Sequence, residues 1–471
     1  MIECAHSPFL EASRVLLGEL VEGLGRDNDF VSVLATDDSG LSFRASRGET
    51  AVSDSRWVQR GFVVRAQRGG RVAETAANLP AQSGAAALAG LLGKRLDELF
   101  ASSDSRTYPP LPDEPLSSEF RGKVAIDPFL TDPELVLGRL ASCRDSLLAS
   151  PDIVSAEARA DFVRVSRAYR SRSRDLVQSF VWDQAYLSGV TRRGDKAKFS
   201  YRAVSGLRGL EALDELATKP AELAAELAEL LGAGRVEPGE HVVILSPSMA
   251  GTLAHEAFGH GVETDMFVKG RARARDYLGK AVASPIVTMY DGAAGVERTG
   301  SFLFDDEGNL GRRTTVIEKG ILVSGFSDAL SALSLGLEAT GNGRREAYDH
   351  KAYARMTNTY FAPGHSTLDE MIASTKEGWL LDRLNSGMED PKNWGIQLIA
   401  LVGREIRDGR LTGRVASPVF CSGYVPEVLG AITMLSRDFE LGGSGACGKG
   451  HKEYVKVSEG GPYVKTRMRL G

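Results

Sequence analysis

Two histidines and a glutamate form a compact group of chemically active residues: His255, Glu256 and His260. Imidazole is a common zinc ligand, and a carboxylate beside a bound metal can accept a proton from an activated water. The familiar zinc-hydrolase helix has the pattern H-E-x-x-H, with its histidines one turn apart. Here the second histidine comes one position later. The pattern indicates metal-assisted hydrolysis only if the chain can bring both imidazoles together.

The helix that carries this group must therefore be irregular. On an ideal helix, a separation of five residues leaves the two rings about 140° apart. Gly259 and Gly261 flank His260, and a helix bulges or ends most readily at glycine. We predict a helix through His255 and Glu256 that is bulged or broken near Gly259, so that His260 turns back to the same metal. The alternative is a helix end with incidental histidines.

A catalytic zinc site usually has three protein ligands and one open position, so a third ligand is needed. Besides nearby carboxylates, the further candidates are His241, His350, His365, His451, Cys421 and Cys447. Cys447 stands out because Gly445 and Gly448 free its backbone and Lys449 favours the thiolate. The alternative is a free cysteine in a flexible loop, and the loop taken alone favours that alternative.

The composition is that of an ordinary globular protein. The chain has 471 residues, which predicts two or three domains, and its hydrophobic content is 42%. A net charge of −5 does not indicate binding to nucleic acid, which favours basic surfaces. Four irregularly placed cysteines fit a reducing compartment, and no stretch approaches the roughly 18 apolar residues of a membrane span. We therefore expect a cytoplasmic protein that binds neither nucleic acid nor membrane.

The elements that must position these residues predict an α+β fold. Helical spacing extends over residues 8–24, 85–100, 132–150 and 212–231. Between the helices lie alternating runs typical of antiparallel strands: Phe30–Ala35, Leu41–Ala45, Trp57–Arg65, Arg71–Thr75 and two or three long strands in 153–203. Turns are predicted between the short strands, one of them at residues 37–40.

Glycines at the end of the last of these helices mark the predicted domain boundary. Residues 1–234 are expected to form an N-terminal region of antiparallel sheets with packed helices, with a subdivision near 102–130. Residues 235–471 are expected to form a strand-rich C-terminal catalytic domain that carries the metal-binding helix.

Several motifs follow one another in the second half of the chain. They are Ser246-Pro247 with His255 to Asp265, Gly300 to Gly308 with Val316 to Leu322, Thr340 to Glu346 with Arg355 to Tyr360, and Gly445 to Lys449. In residues and order, this half resembles the metal-binding TldD branch of the TldD/PmbA family, whereas the N-terminal half resembles it only in layout. One departure follows Lys449, where the family usually has Gly-Gln and this chain has Gly450-His451. His451 is either a polar group near the site or a surface residue.

The resemblance implies a zinc-dependent peptidase that acts on short or unfolded peptides. It implies that His255, His260 and Cys447 bind Zn²⁺ and that Glu256 is the general base. The family also implies a homodimer, or a heterodimer with a homologue that lacks the metal motif, around a central cavity. An extended peptide entering that cavity would add to a sheet edge as a strand. The alternative function is a non-catalytic binding or regulatory subunit of such a complex, which the retained ligand residues argue against.

Other polar residues are candidates for supporting roles. Glu263 and Asp265 are candidates for hydrogen bonds to the metal-binding imidazoles, or they are solvated carboxylates at a helix end. Arg344 and Asn358 are candidate substrate contacts, with an ordinary role in holding loops as the alternative. The acidic run 305–307 is either a second metal site or a turn.

Overall fold

The structure is a computed structural model that describes residues 1–78, 84–102, 106–294, 297–449 and 452–471. Its fold is α+β, as predicted. The described strands before residue 207 and after residue 238 belong to different sheets. The division into domains at residue 234 stays a prediction. The subdivision near 102–130 also stays a prediction, and strands from both sides of that segment join the same sheet.

Long antiparallel strands dominate the first half. The strands described there are β1 (Ile2–Glu3), β2 (Phe30–Ser46), β3 (Glu49–Asp54), β4 (Gln59–Arg68), β5 (Arg71–Ala77), β6 (Leu116–Arg121), β7 (Lys123–Val124), β8 (Ile153–Ser171), β9 (Arg174–Arg193) and β10 (Lys196–Gly206). The helices are α1 (Pro8–Leu24), α2 (Ala85–Ser102), α3 (Pro133–Leu148), α4 (Ala212–Ala217) and α5 (Pro220–Leu231). The main sheet has the order β10-β9-β8-β2-β4-β5, with β3 paired to β2 and β6 parallel to β9.

Both faces of this sheet are covered, and the side chains of β4 show how. Because successive residues of a strand point to opposite faces, Phe62 and Val64 pack with the leucines of α1 and α2. Val63 points the other way and packs with Phe304 of the second half. The sheet therefore separates the helices from the C-terminal part of the chain.

Two local predictions for this half were wrong. The predicted turn at residues 37–40 lies inside the continuous strand β2, where Arg167 holds Asp38 at 2.9 Å across the sheet. The predicted helix over 212–231 is divided into α4 and α5. Pro220 begins the second helix because proline lacks the N–H that a continuous helix would need there.

Shorter strands and helices make up the second half. The strands described there are β11 (Gly239–Leu245), β12 (Met289–Asp291), β13 (Thr314–Glu318), β14 (Ile321–Leu322), β15 (Gly343–Arg344), β16 (Tyr353–Ala354), β17 (Asn358–Phe361), β18 (Glu377–Glu389), β19 (Gly395–Arg407), β20 (Arg410–Ala416), β21 (Val419–Tyr424), β22 (Met434–Gly442), β23 (Ala446–Lys449), β24 (Lys452–Lys456) and β25 (Ser458–Leu470). The α-helices are α6 (Pro247–Ala254), α7 (Thr264–Val268), α8 (Ala329–Leu335), α9 (Leu368–Ala373) and α10 (Val425–Gly430).

Five of these strands close into a ring. Strand β11 pairs in parallel with β18 and antiparallel with β25, and the ring is completed through β19 and β21. The chain leaves β11 at Ser246 and enters α6, in which Ser248 is exposed and the other residues are buried. A Cβ atom placed on Gly251 would lie 2.3 Å from the backbone nitrogen of Gly460, so α6 and β25 are in close contact. None of the described helices is long and apolar enough to cross a lipid bilayer.

Candidate metal centre

The helix that starts at α6 changes its winding at the first histidine. Residues His255–Gly259 form a π-helical turn, and His260–Val262 form a 3₁₀ turn. The wider turn lets two rings five positions apart approach each other: their centroids are 5.0 Å apart, with planes at 85°. Gly259 is required by packing, because a Cβ atom there would lie 2.2 Å from Sδ of Met356. The predicted bulge near Gly259 is confirmed.

Cys447 reaches the same point from β23. Its Sγ lies 3.3 Å from Nε2 of His260, and the ligand atoms of His255, His260 and Cys447 all lie within 4.8 Å of one another. The three side chains are buried. Ligands of a tetrahedral zinc, with bonds of about 2.0–2.3 Å, are about 3.5 Å apart. The spacing and the nitrogen–sulfur donor set therefore fit a zinc ion.

Each imidazole has a carboxylate on its other side. Nδ1 of His255 lies 2.8 Å from Oε2 of Glu459, whose Oε1 accepts a hydrogen bond of 2.8 Å from Thr252. Nδ1 of His260 lies 3.4 Å from Oε1 of Glu263. Carboxylates in this position orient a metal-binding imidazole and increase its basicity. The arrangement leaves the Nε2 side of each ring for the metal.

Arg355 connects the thiolate to one of these carboxylates. It is 1% exposed, and its Nη2 donates hydrogen bonds of 2.9 Å to both Sγ and the carbonyl oxygen of Cys447. Its Nε donates to Oε1 of Glu263 at 3.2 Å. A fixed guanidinium in this position favours the charged form of the sulfur and fixes its direction.

Electrostatic attraction among the candidate ligands and their charged neighbours shifts the pKa values of these ligands. Burial lowers the pKa of His255, but the thiolate of Cys447 and the carboxylate of Glu459 outweigh burial and raise that pKa well above its usual value. Burial raises the pKa of the Cys447 thiol, yet His260, His255 and Arg355 together bring it well below the usual value. These neighbours therefore favour the thiolate form of Cys447, which is the form that binds metal.

Glu256 lies at the accessible side of this cluster. It is half-buried, whereas its neighbours His255 and Ala257 are buried. Burial is the largest influence on Glu256 and raises the pKa of its carboxyl group, while the two imidazoles act in the opposite direction. A raised pKa brings a carboxylate closer to the range in which it exchanges protons at neutral pH.

The other residues proposed from the sequence lie in different surroundings. Asp265 is buried with its carboxylate 3.2 Å from Nζ of Lys269, and Arg344 lines a separate cavity. Asn358 is fully buried and donates to the carbonyl oxygen of Gly292 and to Oγ of Ser301. Their proposed roles in metal or substrate binding stay predictions. His451 lies outside the described residues.

The acidic run 305–307 is held by backbone and arginine partners. Oδ1 of Asp305 accepts hydrogen bonds from the backbone N–H groups of Glu307 and Asn309, as in a tight turn. Asp306 pairs with Arg167, and Glu307 pairs with Arg65. Among the described residues, the group of His255, His260 and Cys447 meets the geometry of a metal site, and the acidic run does not.

Glu459 and Arg355 were missed by the sequence reasoning. Arg355 was noted only as part of a motif. Glu459 is followed by Gly460 and Gly461, and paired glycines can indicate a strand that another element approaches closely. That signal was available, but it did not indicate which helix would approach.

Comparison with known proteins assigns the second half of the chain. The sequence profile of the PmbA/TldA metallopeptidase C-terminal domain matches residues 238–468. These residues belong to the PmbA/TldD family. The resemblance seen in the motifs is therefore confirmed.

Relatives in this family carry metalloprotease names. A metalloprotease from Methanocaldococcus jannaschii is 32% identical over 281 residues, which is 60% of this chain and 61% of the relative. A protein named zinc metalloprotease TldD homolog, from Saccharolobus solfataricus, is 33% identical over 236 residues, 50% of this chain and 52% of the relative. The matches thus span about half to three fifths of the relatives' length.

Solved structures extend the similarity in fold to nearly the whole chain. TldE from Thermococcus kodakarensis superimposes with a TM-score of 0.77 at 16% identity, covering 97% of this chain and 99% of that protein. At this identity the match establishes the fold alone. Both halves of the chain therefore share the fold of TldE.

Proposed function

We propose that the protein is a zinc-dependent peptidase that hydrolyses short or unfolded peptides. The observation that carries the proposal is the convergence of His255, His260 and Cys447, with their ligand atoms within 4.8 Å and the half-buried Glu256 beside them. Relatives named metalloproteases, one of them a zinc metalloprotease, support the same reaction class. A zinc ion held by these three side chains would supply Lewis-acid activation of water and of the peptide carbonyl.

The residues of the chain have distinct roles in this proposal. Glu256 accepts a proton from the attacking water, whose oxygen bonds to the peptide carbonyl carbon. When the C–N bond breaks, Glu256 delivers the proton to the leaving amine. Glu459 and Glu263 orient the imidazoles, and Arg355 orients the thiolate.

The strand beside Glu256 supports an extended peptide as the substrate. Strand β18 pairs with β11 only over residues 379–381, and no described strand pairs with the same edge of residues 382–389. A Cβ atom placed on Gly387 of this segment would lie 3.1 Å from Cγ of Glu256. A peptide that paired with this edge, where the hydroxyl of Tyr201 donates to the carbonyl oxygen of Leu384 at 2.7 Å, would run past the proposed general base. Recognition through the backbone suits unfolded peptides of varied sequence.

Assembly and location belong to the same proposal. The family resemblance implies a dimer, formed either by two copies or with a TldE-like homologue, and the protein shares the fold of TldE. The described cysteines are all free thiols, which favours a reducing, cytoplasmic compartment.

The decisive experiment is the substitution Glu256→Gln. We expect the variant to retain zinc and to lose peptide cleavage by about 10²- to 10⁴-fold, because the amide cannot accept the proton. Zinc content is measured by atomic emission, and products from a pool of unstructured peptides by mass spectrometry. Glu240→Gln, at an exposed glutamate paired with Arg467, is the matched control and should cleave normally.

Two results would count against the proposal. Undiminished turnover by Glu256→Gln would remove Glu256 from the role of base. A well-folded wild-type protein that binds no zinc would favour the alternative, a non-catalytic subunit of a TldD/PmbA-type complex.

A further inference from the structure

A second cluster of charged residues lines a cavity between the N-terminal and C-terminal sheets. The cavity has a volume of about 60 Å³. Val163 and Trp182 of the N-terminal sheet form one side, and Thr299, Arg344 and Lys456 of the second half form the other. A single water needs roughly 10–15 Å³ of such space. The cavity therefore has room for several waters or for one carboxylate- or phosphate-sized group.

Two of the arginines around the cavity are neutralised by neighbouring carboxylates. Arg167 pairs with both Asp38 and Asp306. Arg345 pairs with Glu74. The pairs of Arg167 with Asp306 and of Arg345 with Glu74 join the two halves of the chain. Each of these arginines therefore has a carboxylate to balance its charge.

Arg344 differs from these arginines. Its Nη1 donates to the carbonyl oxygen of Met356 at 2.7 Å, and its guanidinium carbon lies 5.4 Å from the ring centroid of Phe302. Among the described residues, no carboxylate forms an ion pair with it. Burial lowers the pKa of Arg344 to about 10, because the attraction of Asp306, which lies beyond ion-pair distance, does not offset burial and the repulsion of Arg167 and Arg355.

Lys456 is the second cation without a close carboxylate. It is 5% exposed, its Nζ donates to Oε1 of Gln184, and the same nitrogen lies 4.8 Å from the ring centroid of Trp182. No ion pair joins it to a carboxylate in the described part of the chain. Burial lowers the pKa of Lys456 to about 7.

Thr299 adds a hydroxyl group to the same wall. Its side chain is 3% exposed, and its Oγ1 has no hydrogen-bond partner in the described structure. Leaving a buried hydroxyl without a partner is destabilising, so such groups usually bind a ligand or water. The cavity thus combines two cations that form no ion pair with an unused hydrogen-bond donor. Of the carboxylates that also line it, Asp38 and Asp306 are held by Arg167, and Asp305 accepts backbone N–H groups.

We propose that this cavity is a binding site for an oxyanion, held by Arg344, Lys456 and Thr299. A guanidinium, an ammonium and a hydroxyl are the donors that bind carboxylate and phosphate oxygens. The possibility that the oxyanion is a carboxylate of the substrate rests on the proposed peptidase function. Binding of a free anion does not.

The site is connected to the candidate metal centre through one hairpin. In the pairing of β23 with β24, Lys456 lies opposite Ala446, and Val455 lies opposite Cys447. Arg344 is bonded to Met356, the residue after Arg355. An oxyanion in the cavity would therefore contact the strand next to the one that supplies the thiolate, which is a suitable position for anchoring one end of a peptide.

Inorganic phosphate is the probe for the first experiment. Calorimetric titration of zinc-free protein with phosphate, at constant ionic strength against chloride, separates this site from the metal centre. We expect saturable binding that weakens at least about tenfold in Arg344→Gln and in Lys456→Met, because each removes a charged donor. Arg344→Lys keeps the charge and should restore part of the affinity. Arg312→Gln, at an exposed arginine, is the control and should bind like the wild type.

The second experiment distinguishes the source of the oxyanion. Peptides with a free C-terminal carboxylate and the same peptides with a C-terminal amide are tested for displacement of phosphate from Glu256→Gln protein. Displacement by the carboxylate form alone assigns the site to substrate, whereas displacement by neither assigns it to a free anion. Phosphate affinity that is unchanged in both Arg344→Gln and Lys456→Met would overturn the proposal, whatever the outcome for catalysis.

Discussion

The candidate metal centre and the oxyanion cavity are two buried polar clusters of opposite character. In the metal centre, two imidazoles and a sulfur converge on one point, and each has a partner on its other side, which is Glu459, Glu263 or Arg355. In the cavity, Arg344 and Lys456 form no ion pair with a carboxylate of the described residues, although Asp38, Asp305, Asp306 and Glu346 line the same space. The donors of the first cluster suit a cation, whereas Arg344, Lys456 and Thr299 of the second suit an anion.

In both clusters, the charge of a suitable ligand can be inferred from the buried groups that have no partner within the protein. Most buried polar groups find a partner within the protein. Where several buried groups of one kind converge without such a partner, they destabilise the folded state, and a ligand would supply the partner that the protein does not. Strands β23 and β24 carry Cys447 in one cluster and Lys456 in the other, so a single hairpin contributes to both.

The largest effect is expected from Cys447→Ser. Replacing the thiolate with a hydroxyl removes the charged ligand, so zinc affinity should fall by about 100-fold or more, beyond the loss typical of a supporting residue. Competition with a fluorescent chelator measures the affinity. Phosphate binding to the cavity should survive, which would separate the two clusters. Cys421→Ala is the control, and unchanged zinc affinity in Cys447→Ser would mean that another residue is the third ligand.

Substitutions of two carboxylates near the histidines should differ in their effect on zinc affinity. Glu459→Gln weakens the partner of His255, and we expect a 10- to 100-fold loss of zinc affinity. Asp265→Asn alters a carboxylate that pairs with Lys269 and should leave zinc affinity unchanged. The same chelator assay compares them. Equal losses in the two variants would show that the effect is a general one of lost negative charge.

The smallest effect is expected for Lys456 in the cavity, on the pH dependence of the free energy of unfolding. Burial lowers the pKa of Lys456 to about 7, against the attraction of Asp161 and Asp183 and with the repulsion of Arg159, whereas an unfolded lysine titrates near pH 10.4. Between these pH values the unfolded chain binds more protons. The free energy of unfolding should therefore rise with pH, by at most about 1.4 kcal/mol per pH unit, in wild type relative to Lys456→Met.

Denaturant unfolding at pH 7 and pH 9 measures this difference. Parallel pH profiles for the two proteins would show that Lys456 keeps an ordinary pKa. In that case the charge of the Lys456 ammonium group is already balanced within the protein, and Lys456 would not favour binding of an anion.

The sequence was most informative where local rules decide the structure. The helix over residues 8–24 and the bulge near Gly259 were predicted from periodicity, from the spacing of the histidines and from the flanking glycines. The convergence of Cys447 with His255 and His260 followed from family resemblance, and no local rule could have supplied it.

The supporting residues could not be predicted because tertiary pairing places them. Glu459 reaches His255 only because Gly251 and Gly460 allow α6 to contact β25 closely. The course of β2 through residues 37–40 depends on an arginine, Arg167, from another strand. Local turn propensity was overridden there by an ion pair formed across the sheet.

The closed ring of strands has a consequence for the order of folding. Strand β11 completes its pairing only with β25, more than 200 residues later in the chain. Contacts between such distant segments form late, because the entropy of closing a long loop must be overcome first. The two histidines that follow β11 therefore meet the thiolate only near the end of folding. We expect zinc capture to be a final step that locks a finished barrel, and not a nucleus around which the chain condenses.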